Sequence, residues 1–240
     1  GYDRGIVVLS AAAVIADSVA EYTLWVMLSM QRALCRYDQL MKFERGWKGA
    51  GQSFAHELYF KRVGIVSASM VGRRVIKLLQ PFGCDIMLYD PYVSESESEE
   101  LGVRLVSLEE LFATSDIVSI HAPTTPETEK MIGEQHFKAL RDGVLFIDTA
   151  RTWVLDSAAL LAELRTGRIR AALDVFDVEP LPADDPLRDL DNVFLTPHIS
   201  GHTDESRSRL VEGIADDMVR FFDGDKPRLA VSWERLKIMA

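Results

Sequence analysis

From residue 62 onward, short apolar runs alternate with stretches whose apolar residues recur every three or four positions. The runs 62–66, 85–89 (DIMLY), 116–120 (DIVSI), 143–147 (GVLFI), 169–173 (IRAAL) and 192–195 (NVFL) predict strands. Between them, 70–80, 107–113, 134–140 and 156–166 predict helices, the last capped by Asp156. Strands that are apolar at every position are buried on both faces. Separated by helices, they build a parallel sheet covered on both sides, so the expected fold is α/β, doubly wound and Rossmann-type. The acidic run SESESEE at 94–100 reads as a solvated loop or helix face.

The first sixty residues follow a different pattern. Residues 17–40 predict one long helix opened by Asp17 or Ser18 as N-cap. From Tyr22 to Met30 it is apolar on nearly every face, and such a helix must be covered on more than one side. A single sheet cannot do that, so the pattern predicts a homodimer paired through this helix. Upstream, Ile6 to Leu9 predicts a buried strand running into a small-residue turn, although 4–17 also has the outline of a signal-peptide core. Residues 41–60 read as a loop.

Composition narrows the function classes. Of 240 residues, 48% are apolar, enough for a substantial core. The net charge of −10 repels nucleic-acid phosphates and anionic lipid, so neither is an expected partner. No run of some eighteen apolar residues predicts a membrane span. Cys35 and Cys84 are a poor basis for a disulfide framework and favour a reducing, cytoplasmic setting. No Cys/His cluster has metal-ligand spacing, so no metal is expected.

The stretch GIVSASMVG at 64–72 has the lead-in and closing glycine of a dinucleotide-binding loop, with Ser67 and Ser69 where the first two glycines would stand. Its context is complete: strand, turn, helix, then Asp90 ending the next strand, 18 residues past Gly72. Asp90 can accept from the ribose hydroxyls and would repel a 2′-phosphate, so NAD is the expected cofactor rather than NADP. Serine at 67 carries a left-handed penalty of roughly 1–2 kcal/mol if the turn needs positive φ. Ser69, at the helix N-terminus, can donate to a phosphate beside the free N–H groups there.

Three later segments end predicted strands with polar groups: FIDTARTWVLD (146–156), AALDVFDVEPLP (171–182) and NVFLTPHISGHT (192–203). Together with SIHAPTTPET (119–128) they resemble the D-isomer-specific 2-hydroxyacid dehydrogenase family over nearly the whole chain. The resemblance implies that His198 is the acid/base, Glu179 its orienting carboxylate, and Arg151 the clamp on a substrate carboxylate. It implies that Asp174 holds the nicotinamide amide. Ser69, Met70, Val71, Asp90, Ala122, Thr149, Ala150, Arg151, His198 and Gly201 would line the cofactor. The implied substrate is a small 2-keto or 2-hydroxy acid. A histidine can deliver a proton near neutral pH, and a neighbouring carboxylate stabilises its imidazolium.

The resemblance also divides the chain: 1–15 as a remnant of a substrate domain, 16–223 as the dinucleotide-binding domain, and 224–240 as a tail returning toward the substrate domain. Family members carry most of that second domain ahead of this chain's start, so a truncated form is expected. Thr152 stands where the family usually has glycine, which bears on the orientation of Arg151. The same fold also serves NAD(H)-sensing and corepressor-like proteins, so a binding protein or an inactive chain is the alternative reading.

Overall fold

The structure, a computed structural model, describes residues 4–47 and 55–233. The six strands predicted from residue 62 onward form, within two residues of their expected bounds: β1 (Arg62–Val66), β2 (Asp85–Tyr89), β4 (Ile117–Ile120), β5 (Leu145–Asp148), β6 (Arg170–Leu173) and β7 (Val193–Leu195). A two-residue strand, β3 (Arg104–Leu105), was not expected, being too short to carry a pattern. The helices are α1 (Ala12–Gln31), α2 (Leu34–Lys42), α3 (Met70–Leu79), α4 (Glu95–Leu101), α5 (Leu108–Thr114), α6 (Glu134–Ala139), α7 (Ser157–Leu164) and α8 (Asp204–Phe222).

The strands form one parallel sheet in the order β3-β2-β1-β4-β5-β6-β7. Chain direction across the sheet reverses between β1 and β4, the switch point where doubly wound sheets bind ligands beyond their C-terminal strand ends. Register aligns those ends: Val66 pairs with Tyr89 and Ile120, Ile120 with Asp148, and Asp148 with Leu173. The turns after β1, β4, β5 and β6 therefore open onto one rim.

Alternate residues of each strand face opposite layers. Val66, Val118, Ile120, Phe146 and Leu173 pack with Leu111, Phe112, Phe137 and Leu164 of α5, α6 and α7. Val63, Ile65, Ile117, Leu145 and Ile147 pack with Met27 of α1 and with Val75, Ile76 and Leu79 of α3. Two-sided burial is what the unbroken apolar strands required.

Several expectations for the N-terminal region are corrected. Residues 6–9 do not form a strand; only a single antiparallel bridge, Leu9 to Ala230, is present. It joins the two terminal segments, with Ser10 N donating to Leu229 O and Val231 N to Val8 O. The helix expected over 17–40 starts earlier and is broken. It runs back to Ala12 because the small residues before Asp17 are good helix formers, and Ala11 stands at the N-cap with no side-chain bond. Asp17 instead pairs with Arg74. Ala33 in the left-handed region (φ +51°) separates α1 from α2. Within 41–60, α2 extends to Lys42, and 48–54 lie outside the described residues. The acidic run is helical as α4, capped by Ser94 Oγ.

By length and composition α1 is apolar enough to cross a membrane, which the sequence reading did not expect. Here it is a core helix, packed on α3, α8 and β5 of the same chain. Much of the covering ascribed to a partner subunit is thus supplied internally. Trp25, 47% exposed, is the large apolar residue that α1 leaves open.

Candidate active site

β1 delivers the chain into a turn of Ser67, Ala68 and Ser69 from which α3 starts. Ser67 does adopt positive φ (+77°), so the left-handed cost expected for a serine there applies. Ser69 does not: at φ −59° it is an ordinary N-cap whose Oγ accepts from Gly72 N at 3.3 Å, leaving its own proton free to donate. Gly72 is required for close packing, since a Cβ there would lie 2.1 Å from the Ser67 carbonyl oxygen. Gly72→Ala is therefore expected to lower stability by roughly 1–3 kcal/mol as the turn is forced apart. Denaturant midpoints check it, and an unchanged midpoint would refute this packing role.

The half-buried Met70 and Val71 open α3, where N–H groups have no upstream carbonyl within the helix. With Gly72 bare and Ser69 hydroxyl-bearing, this turn fits a pyrophosphate. Across from it, Asp90 accepts from Ala68 N (2.8 Å), Ser67 Oγ (3.2 Å) and Tyr92 N (2.8 Å). Ala122 is buried after β4, and Thr149, buried after β5, meets Thr23 of α1 at 3.4 Å.

On the far side of the rim, His198 Nδ1 lies 2.8 Å from Glu179 Oε2. Glu179 Oε1 accepts from Phe176 N at 3.0 Å, which fixes the carboxylate. Burial pushes the Glu179 carboxyl up, but the bonds from His198 and Phe176 and the charge of Arg151 outweigh it and hold it below its ordinary value. It is ionised at neutral pH. His198 sits at φ +55°, a strained setting for a residue other than glycine. The pair lines a cleft of about 610 Å³ with Arg188 and Thr196.

Arg151 is exposed, with Nη1 on Ala150 O at 2.7 Å. Among the described residues it forms no ion pair, with Glu179 or any other carboxylate, although its charge is felt at both Glu179 and Asp148. It lines a separate cleft of about 700 Å³ with Lys130, Thr152 and Trp153. Thr152 starts a 3₁₀ turn outside the left-handed region, so the backbone there does not demand glycine. The structure thus couples Glu179 and His198 directly, while the Arg151 guanidinium lines a separate cleft and reaches Glu179 through its charge alone.

Asp174 is buried, and its carboxylate turns to the chain itself. It accepts from Thr196 Oγ1 (2.6 Å), Ile199 N (2.9 Å) and Ser200 N (2.9 Å), so it builds the turn that presents His198. Gly201 follows this turn against Ile15 and Val19 of α1. Tyr22 of α1, bonded to Thr196, completes the support; burial, the largest influence, pushes its phenol up to about 12. Sequence reading missed Tyr22 and Thr196, whose separation of 174 positions leaves no local signal.

Asp148, also missed, ends β5 with Oδ1 accepting from Ala150 N at 2.9 Å and Oδ2 buried without a partner. Burial above all pushes its carboxyl up to about 7. A polar residue closing an apolar strand was the available signal, the one that singled out Asp174. His121 is buried, with Nε2 2.9 Å from Ser119 Oγ; burial depresses it to about 3, so it is neutral. His136 accepts from Gly133 N at the start of α6.

The chain is similar in sequence and in fold to proteins of known activity. The profile of the D-isomer specific 2-hydroxyacid dehydrogenase NAD binding domain matches residues 24–200. A glyoxylate reductase of Korarchaeum cryptofilum is 35% identical across 98% of this chain and 72% of its own length. A D-3-phosphoglycerate dehydrogenase of Archaeoglobus fulgidus is 36% identical across 95% of this chain but only 43% of its own. Among solved structures, D-lactate dehydrogenase from Aquifex aeolicus, complexed with NAD and lactic acid, superposes with a TM-score of 0.81 at 32% identity. It covers 93% of this chain and 71% of that one. The cofactor of the domain is NAD. With a doubly wound sheet, a nucleotide-loop turn at its switch point and a carboxylate–imidazole pair on the same rim, the chain belongs to the D-isomer specific 2-hydroxyacid dehydrogenases, and its matched part is their NAD-binding domain.

Proposed function

We propose that this chain carries the cofactor site and the proton-transfer residues of an NAD-dependent dehydrogenase that interconverts a small 2-keto acid and its D-2-hydroxy acid. The observation that carries the reading is the 2.8 Å contact between His198 and Glu179, both at the rim and both reachable by solvent. When bound, the nicotinamide supplies or takes the hydride at C2 of the substrate. His198 moves the proton: Glu179 accepts from Nδ1–H, which leaves Nε2 to hold the proton exchanged with the substrate oxygen. Arg151, without a carboxylate of its own, is available to fork onto the substrate carboxylate and align its carbonyl. Met70, Val71 and Ser69 receive the pyrophosphate, and Asp90 the adenosine ribose. Asp174 acts by holding the His198 turn.

The test is NADH oxidation by the whole gene product with glyoxylate, pyruvate and hydroxypyruvate. Turnover with one of them supports the reading; tight NADH binding with no turnover on any keto acid favours a sensor of NAD(H) instead.

Residues 1–15 and 224–240 we assign to the root of a substrate domain, supported by the bridge that joins them at Leu9 and Ala230. We further propose that two copies pair along the α1 face carrying Trp25. Light scattering at micromolar concentration should return twice the 26.9 kDa chain mass, and a monomer mass would refute the pairing. Cytoplasmic residence is our reading of Cys35 and Cys84, both free thiols.

A further inference from the structure

The Asp90 carboxylate has about four lone-pair sites on its two oxygens, and the chain itself occupies three of them. Oδ2 takes Ala68 N and Ser67 Oγ, and Oδ1 takes Tyr92 N. One site is left for a ribose that presents two adjacent hydroxyls. The two backbone donors hold the carboxylate in place and cannot withdraw without moving the turn. The Ser67 hydroxyl can, by rotating about its Cα–Cβ bond.

We propose that Ser67 is a specificity-determining residue that competes internally for the ribose acceptor, so that the chain grips the adenosine ribose by one hydroxyl unless the Ser67–Asp90 bond is exchanged for a second. The inference rests on Asp90 being the ribose acceptor, as proposed above. The position is a costly one for serine, because φ there is +77° and glycine would meet no left-handed penalty. The bond to Asp90 offsets part of that cost in the nucleotide-free chain. A second ribose bond forms only by giving this one up, which weakens the complex and speeds nucleotide release, since affinity differences of this kind are expressed mostly in the off-rate. Where release of the cofactor limits turnover, a looser ribose grip raises the rate.

The experiment compares Ser67→Ala, Ser67→Gly and Asp90→Asn in the full chain. NADH is titrated by its fluorescence, and ADP and 2′-deoxy-ADP by calorimetry. Ser67→Ala removes the competitor but keeps the backbone strain; it is expected to bind NADH and ADP about 3- to 10-fold more tightly, the worth of one hydrogen bond. It should also separate ADP from 2′-deoxy-ADP more strongly than the unaltered chain, because both hydroxyls now find acceptors. Ser67→Gly should match that affinity and, in addition, raise the melting temperature. In the Asp90→Asn background the Ser67→Ala gain should vanish.

An equal ratio of ADP to 2′-deoxy-ADP affinity in Ser67→Ala and the unaltered chain would overturn the proposal, as would a gain that persists without the Asp90 charge. If Asp90→Asn binds NADH as the unaltered chain does, the ribose assignment falls and takes this inference with it. If it binds more weakly while Ser67→Ala gains nothing, the role of Ser67 alone is refuted.

Discussion

Replacing His198 by alanine is expected to cut keto-acid reduction by roughly 10²- to 10⁴-fold, the range for loss of a positioned general acid. NADH affinity should change far less, because the pyrophosphate turn and Asp90 lie on other elements of the rim. The loss belongs in kcat rather than in KM, since the proton moves only as the reaction proceeds. The fold should survive: His198 is 39% exposed on its side chain, and the turn around it is held by Asp174 through Thr196, Ile199 and Ser200. Alanine at φ +55° keeps the strained backbone without the imidazole, so circular dichroism and the melting temperature separate misfolding from lost chemistry. Undiminished turnover in a folded variant would remove the central residue of the proposed mechanism.

The largest effect expected on stability comes from Asp148. Its carboxyl has an ordinary value of 3.8 and is pushed up to about 7 in the folded chain, chiefly by burial. Between those values the folded chain keeps a proton that the unfolded chain has released. Stability therefore falls as pH rises from about 4 to about 7, and the full cost applies above that. The gap corresponds to on the order of 4 kcal/mol. Asp148→Asn abolishes this titration while its Oδ1 can still accept from Ala150 N. The new amide N–H₂ falls where Oδ2 had no partner, which costs about 1–3 kcal/mol at every pH. The variant should accordingly gain on the parent as pH rises, with little or no advantage near pH 5 and its best margin near pH 8.

His121 supplies an internal check. Its imidazole is depressed from 6.5 to about 3 by burial, so the unfolded chain binds a proton that the folded chain refuses. That slope has the opposite sign: stability is lost as pH falls from about 6.5 toward 3. In the parent the two groups work against each other across the shared interval. In Asp148→Asn the opposing slope of Asp148 is gone, while that of His121 remains. A difference in melting temperature between variant and parent that is the same at pH 5 and pH 8 would show that Asp148 does not titrate in this window.

How much of the site was legible beforehand differs from residue to residue. Asp90, Arg151, Asp174, Glu179 and His198 each close or follow an apolar strand, so pattern and motif together singled them out. Their partners were not legible. That Asp174 spends its oxygens on residues 196–200 depends on β6 and β7 lying side by side, with Ala171 opposite Val193. That Ser67 meets Asp90 depends on the pairing of Val66 with Tyr89. The break in the long helix fell at Ala33, an alanine, which carries no warning of a left-handed residue.

Sequence by itself determined the parallel sheet, because strands apolar at every position have no stable place except between two covered faces. It also determined which side chains end those strands, and hence which chemistry reaches the rim. Only the tertiary structure decided what each of those groups touches. Hydrogen-bond partners such as Tyr22 and Thr196 are far apart in the chain, and burial such as that of Asp148 is set by the layers packed over it. Both arise when the elements close on one another, and neither is a property of any single segment.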